Sequence, residues 1–377
     1  MIVMVILAAL AGQPKAAVAQ ERIWLDARIN HKRVKLIFDS GAGPSALLLE
    51  TVQRLGLKTL PYTNSYLPAT ITSAMTEELP VTIENGEAHI TFAVLTLPRY
   101  LAPGFDGLIG WWDVSGCVVR LDCERREIEF LEKLPKEMSE YTRLGIATNS
   151  GTLDLEIPGP LGTNLVLCID TAMPNGVAIP LTEWLRWKEG HDSRPSTLGA
   201  IFTPSDGLYF FREAWADNIQ FGPLLLTAVP IQSAGPYNAA RYGAQYAGTL
   251  GIEALRQLDL VIDGPRGQAY VRMKKIRPRP YKHNRLGAVF YPTPEHTNQG
   301  IAQVVRDSPA YIAGVRNGDK LLQVGDVRVR GLTADWLSQF ERPPGTKLKL
   351  TLERNNTNFT TTATLRDIVT AKPDKHK

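Results

Sequence analysis

Two acidic residues in matching surroundings are the first chemistry the chain offers. Asp39 sits in VKLIFDSGAGPSALLLETVQRLGL, and Asp170, 131 positions further on, sits in NLVLCIDTAMPNGVAIPLTEWL. Each follows a hydrophobic run and precedes a hydroxyl residue and a small one, Ser40-Gly41 and Thr171-Ala172. One such segment is an ordinary turn, because an Asp side chain can bond the backbone two residues on. Two of them, a domain length apart, describe a duplicated unit that can bring two carboxylates together on a pseudo-twofold axis. Like charges about 3 Å apart cannot both ionise, so such a pair shares one proton. The ionised partner can take a proton from water while the protonated partner donates one. The two roles belong to the pair and are not divided between Asp39 and Asp170.

The elements that must hold the acids also occur twice. Strand-like IWLDARI and GTLDLEI precede them, helix-like ETVQRL and TEWLRW follow, and later come DGLIG, ending at Gly110, and GTLGI, around Gly251. Alternating or continuous apolar runs between turn signals predict a mainly β chain. In lobe one, 20–134, the predicted strands are WLDARI, VKLIFD, VTIE, AHITFAVLTL, CVVRLD and EIEFL. A bridge, 135–143, leads to lobe two, 144–275, with VLCID, VAIP, LYFF, IQF, VPI, LDLVID and AYVRM.

The segment FDSGAGPSALL resembles the active-site loop of retropepsin-like aspartic proteases, and LIG and TLG resemble that family's apolar-apolar-Gly turn behind the loop. The resemblance spans about Arg22 to Arg272 and implies a two-lobed aspartic-protease fold. It implies Asp39 and Asp170 as the catalytic dyad, with Ser40, Gly41, Thr171, Ala172, Gly110 and Gly251 as active-site loop support. Ser40 and Thr171 would bond across to the opposite loop. Ala172 departs from the family's Gly, and a positive φ there would cost about 1 kcal/mol or more. Cleft-covering segments are sought in TNSYLPATITSAMTEEL and HDSRPSTLGAIFTPSDG. With both lobes in one chain, a monomer is expected.

Beyond a basic, proline-bearing stretch, MKKIRPRPYKHN, a third pattern begins. Ser308-Pro309-Ala310, Ala313-Gly314-Val315, Gly318-Asp319 and Val324-Gly325 resemble the motif of PDZ domains over 285–367. That resemblance implies peptide or C-terminus capture by strand addition beside a carboxylate-binding loop at Leu286, Gly287 and Ala288. The segment 276–284 reads as a solvated linker and 368–377 as a disordered tail. Deleting everything after about Tyr281 is therefore expected to spare kcat on a short peptide.

Composition narrows the remaining choices. With 377 residues, the chain can bury more than one core. A charged fraction of 21% and a net charge of +4 fit a globular protein and argue against nucleic acid as a partner. The start carries an apolar run, Ile2 to Ala11, too short to span a bilayer, then Ala17-Val18-Ala19. It reads as a signal peptide over 1–19 without the usual positive start, predicting export to a periplasmic or extracellular location and no integral membrane segment afterwards. Cys117 and Cys123 flank an extended segment of roughly 20 Å, beyond disulfide reach, so they and Cys168 read as free, mostly buried thiols. No Cys/His spacing suits a metal, and no cofactor is expected. The sequence supports two readings: an aspartic endopeptidase with a PDZ module that recruits peptide, or a catalytically inactive protease fold that binds peptide through that module.

Overall fold

A computed structural model describes residues 7–8, 22–62, 71–83, 86–96, 104–147, 151–203, 207–277, 279–293, 296–329 and 338–370. The signal-peptide reading therefore falls almost wholly outside them; only Leu7–Ala8 is described, paired with Phe202 and Ile201. The chain is mainly β: two lobes related by a pseudo-twofold axis, and a smaller C-terminal domain.

The duplication is visible in the strand wiring. In lobe one, Gly107–Gly110 runs parallel to Lys32–Asp39, with Gly110 opposite Asp39. It runs antiparallel to Ala46–Leu48, which is parallel to Ala93–Leu95. In lobe two, Tyr246–Leu250 runs parallel to Asn164–Ile169, with Leu250 opposite Ile169. It runs antiparallel to Val177–Ile179, which is parallel to Leu224–Ser233. Parallel neighbours cannot be joined by a hairpin, so this order, occurring twice, records a repeated unit. The helices Leu49–Leu55 and Leu181–Gly190 follow the matching strands.

The lobes share one sheet. Val118–Asp122 pairs antiparallel with Leu258–Asp263, Val119 opposite Ile262. Each strand also forms a hairpin, with Glu127–Leu131 and Gln268–Met273 respectively. Leu258–Asp263 is buried at every position, as expected of a strand covered on both faces. One apolar core runs through both lobes, from Ile23 and Phe38 to Leu250 and Val271.

The C-terminal domain has its own core, including Leu286, Phe290, Val315 and Leu350. Its motif residues have definable structural work. The Ser308 hydroxyl accepts the Tyr311 N–H at the start of helix Pro309–Ile312. Gly314 and Gly318 take φ of +89° and +87°, a region that favours glycine. The Asp319 carboxylate accepts the Arg316 N–H at 2.8 Å and the Arg354 guanidinium at 2.6 Å.

Two expectations need correction. The segment 276–284 is not a solvated connector throughout: His283 is buried, the Asn284 carbonyl accepts the Thr197 hydroxyl, and Tyr281 bonds Glu213. The tail does not become free at 368, because Ile368 and Val369 are buried and their N–H groups donate to His283 Nε2. The three cysteines are free and mostly buried, as expected: Cys123 and Cys168 are buried and Cys117 is exposed. The cleft-covering candidates lie partly outside the described residues, at 63–70 and 204–206; Thr72–Thr76 and Ser196–Thr203 are strands.

Candidate active site

Strands Lys32–Asp39 and Asn164–Ile169 carry their apolar residues to the interior and deliver Asp39 and Asp170 to the meeting line of the lobes. Asp39 is 0% exposed and Asp170 1%. The loops interlock. Ser40 N–H donates to Thr171 Oγ1 at 3.0 Å, and Thr171 N–H to Ser40 Oγ at 3.1 Å. Each hydroxyl then donates to the opposite strand, Ser40 to Ile169 O at 2.7 Å and Thr171 to Phe38 O at 2.9 Å. Four reciprocal bonds thus fix one acid relative to the other. Replacing Ser40 by Ala strands one buried carbonyl and one buried N–H. The expected loss of stability is about 2–4 kcal/mol, read as a fall in the urea midpoint at unchanged slope.

Both carboxylates are oriented by their own loops. Asp39 Oδ1 accepts the Gly41 N–H at 3.0 Å. Asp170 Oδ1 accepts the N–H groups of Ala172 and Met173 at 3.0 and 2.9 Å. Neither Asp39 Oδ2 nor Asp170 Oδ2 accepts a hydrogen bond from the described residues, although both are buried. A Cβ built on Gly41 would lie 2.7 Å from Asp170 Cγ and Oδ2. The Asp170 carboxylate therefore lies over the residue whose amide holds Asp39. Ala172 does not take a positive φ, so its side chain brings no backbone strain. It packs in an apolar cluster with Ile37, Ala42 and Phe105 of lobe one.

Behind the loops, Gly110 and Gly251 occupy matched places. Each precedes a short helix, Trp111–Val114 and Ile252–Leu255. Trp111 N–H donates to Ala42 O at 2.8 Å, and Ile252 N–H to Met173 O at 2.7 Å. A Cβ would collide with Gly43 O at 2.3 Å in one case and Asn175 O at 2.5 Å in the other. Close approach of the loop explains both glycines.

Burial is the main cause raising the carboxyl pKa of both acids. The Asp170 charge raises Asp39 further, and Arg22 pulls Asp39 down together with the Gly41 and Ala42 amides. At Asp170 the Met173 and Ala172 amides and then Arg22 pull down, while Asp154 adds a smaller upward push. Arg22 is buried, its guanidinium 4.7 Å from the centre of the Phe105 ring. Sequence reasoning did not select it, since a lone arginine at the start of a strand carries no local signal. It also missed Ser45, whose hydroxyl donates to Asp113 at 2.5 Å and accepts the Gly110 N–H at 3.0 Å.

The loop at Leu286, Gly287 and Ala288 is buried. The N–H groups of Leu286 and Gly287 donate to Asn284 Oδ1 at 3.0 and 3.2 Å. Two amides assigned by resemblance to a ligand carboxylate are thus bonded within the chain. Among the described residues, no group of three or more His, Cys, Asp or Glu is placed to hold a metal ion.

Residues 300–354 match the family model for the PDZ domain. No curated protein matches the chain. Among solved structures, basic 7S globulin from soybean is similar at a TM-score of 0.41 and 10% sequence identity, over 68% of this chain and 92% of the globulin. At those values the likeness has no bearing on activity.

Proposed function

We propose that the chain is an aspartic endopeptidase in which Asp39 and Asp170 act as one proton-sharing pair, with the PDZ domain engaging polypeptide. The observation that carries this reading is the pair of buried, cross-braced carboxylates, each with an Oδ2 that accepts nothing from the described protein. With one proton between them, the ionised member takes a proton from a water as its oxygen attacks the peptide carbonyl. The protonated member donates to the carbonyl oxygen, and a proton then passes to the leaving amine as the C–N bond breaks. Export, guided by the leader-like start, and action as a monomer belong to the same proposal. No helix among the described residues is long and apolar enough to cross a membrane.

A second reading, an inactive fold that binds peptide through its PDZ domain, is favoured by one observation: Ala172 stands where the first loop has Gly41. Incubating the purified chain with a peptide library from pH 3 to pH 8 and reading new termini by mass spectrometry separates the two. The endopeptidase reading expects cleavage in a bell-shaped pH window. No new termini at any pH would leave the second reading.

Arg22 supplies a pH test. Its charge lowers the pKa of both acids, so Arg22→Met raises both. The one-proton form then persists to higher pH, and both limbs of the kcat/KM profile are expected to move upward. An unmoved profile would exclude electrostatic control by Arg22.

A further inference from the structure

Asn175 lies five residues beyond Asp170, in the same loop. Its carbonyl accepts the Glu253 N–H at 3.1 Å. Its side-chain amide donates to Glu213 Oε1 at 3.0 Å and to the Tyr281 hydroxyl at 3.1 Å. The Tyr281 hydroxyl donates in turn to Glu213 Oε1 at 2.5 Å. The three groups form a closed triangle. Glu213 is 4% exposed. Burial pushes its carboxyl up to about 7, against the downward pull of Tyr281 and Asn175, with Glu341 adding a smaller upward effect.

The other end of Tyr281 belongs to the C-terminal domain. Its carbonyl accepts Arg285 Nη2 at 3.1 Å and pairs with His283 Nδ1 at 3.1 Å. Arg285 also pairs with Asp367 and donates to Glu341 O at 2.7 Å. His283 Nε2 accepts the N–H groups of Ile368 and Val369 at 3.0 and 3.2 Å, which makes Nδ1 the protonated nitrogen that donates to Tyr281. Alongside, Asn284 Nδ2 donates to Leu198 O in lobe two at 3.0 Å, and the Phe210 and Tyr291 rings meet at 4.4 Å. The first loop is braced within its own lobe by Ser45 and Asp113. Only on the Asp170 side do the described contacts lead from the active-site loop to the C-terminal domain.

We infer that Tyr281 is a positioning residue: through Asn175 it holds the loop that carries Asp170, and it thereby ties the geometry of the dyad to the docked C-terminal domain. The kinetic part of this inference rests on the endopeptidase reading; the structural part does not. It also reverses the expectation that everything after about Tyr281 can be removed without changing kcat on a short peptide.

The test is Tyr281→Phe in the full chain, which keeps the ring and removes the hydroxyl. Amide hydrogen exchange over 169–177 is expected to quicken roughly tenfold, because of the two hydrogen bonds lost with the hydroxyl one is the loop's own, from Asn175, while exchange over 38–46 stays as in the wild type. On a short peptide kcat is expected to fall by a similar factor with KM unchanged. Asn175→Ala, which removes the Glu213 bond as well as the Tyr281 bond, should quicken exchange at least as much, and adding Tyr281→Phe to Asn175→Ala should change it little further, because the shared link is already gone. Unchanged exchange over 169–177, or equal quickening in both loops, would overturn the inference, as would a KM-only effect. If the wild-type chain cleaves nothing, the endopeptidase reading falls, and the exchange comparison alone decides the role of Tyr281.

Discussion

Asp39→Asn is expected to abolish turnover, by about a thousandfold or more, while making the fold more stable at neutral pH. Burial and the Asp170 charge raise the Asp39 pKa in the folded chain. A group with a raised folded pKa contributes stability that is fully present below its unfolded value and is lost as pH rises through the folded value. The amide that replaces the carboxyl takes no part in that titration. The variant should therefore match the wild type near pH 3 and overtake it as pH rises towards 7, which is read as a higher Tm at pH 7 and an equal one at pH 3. Asp170→Asn should follow the same course, since burial also raises its pKa. Thermal melts at pH 3 and pH 7, with peptide cleavage on the same preparations, provide the check. Retained cleavage by either variant would remove the dyad mechanism. A variant less stable than the wild type at pH 7 would refute the assigned cause of the raised pKa.

Gly41→Ala and Ala172→Gly should behave oppositely, although both alter the same place in the repeat. A methyl at Gly41 would lie 2.7 Å from Asp170 Cγ and Oδ2. Asp170 cannot yield freely, because its Oδ1 holds the Ala172 and Met173 amides. The carboxylate must shift, and a displacement of that order costs about 10²-fold in kcat. At position 172 the side chain already rests among lobe-one apolar residues, without a positive φ. Ala172→Gly removes that packing and loosens the unfolded chain, for a loss of about 1 kcal/mol, while kcat stays equal or rises. A large fall in kcat for Ala172→Gly would mean that the methyl is needed to seat the lobes. A harmless Gly41→Ala would mean that Asp170 has room to move and that the close contact does not govern the reaction.

Much of this arrangement is legible along the chain because its signals are local. Hydrophobic runs ending in Asp-Ser-Gly and Asp-Thr-Ala, the later apolar-Gly turns and the Ser-Pro-Ala to Gly-Asp pattern each lie within a few dozen residues. They suffice for a mainly β, duplicated chain with a PDZ domain, expected over 285–367 and matched by the family model at 300–354, and they single out Asp39 and Asp170. Even within a strand, however, local polarity misleads. LYFF and IQF read as separate strands because Glu213, Asp217 and Asn218 interrupt the apolar run. They belong to one strand, Gly207–Phe221. Glu213 can lie in its buried part because Tyr281, 68 positions away, and Asn175 satisfy one carboxylate oxygen.

The remaining features depend on pairs of groups brought together across long stretches of chain. The Ser40–Thr171 interlock spans 131 positions, the shared sheet joins Val118–Asp122 to Leu258–Asp263, and the Arg22 charge falls on both acids. Hydrophobic periodicity specifies which face of a strand is buried, not which distant hydroxyl or guanidinium will meet it there. The residue types at Asp39 and Asp170 are set by sequence alone. Their burial and mutual repulsion, and the link from the second of them through Asn175 to Tyr281, exist only once the lobes and the C-terminal domain have packed.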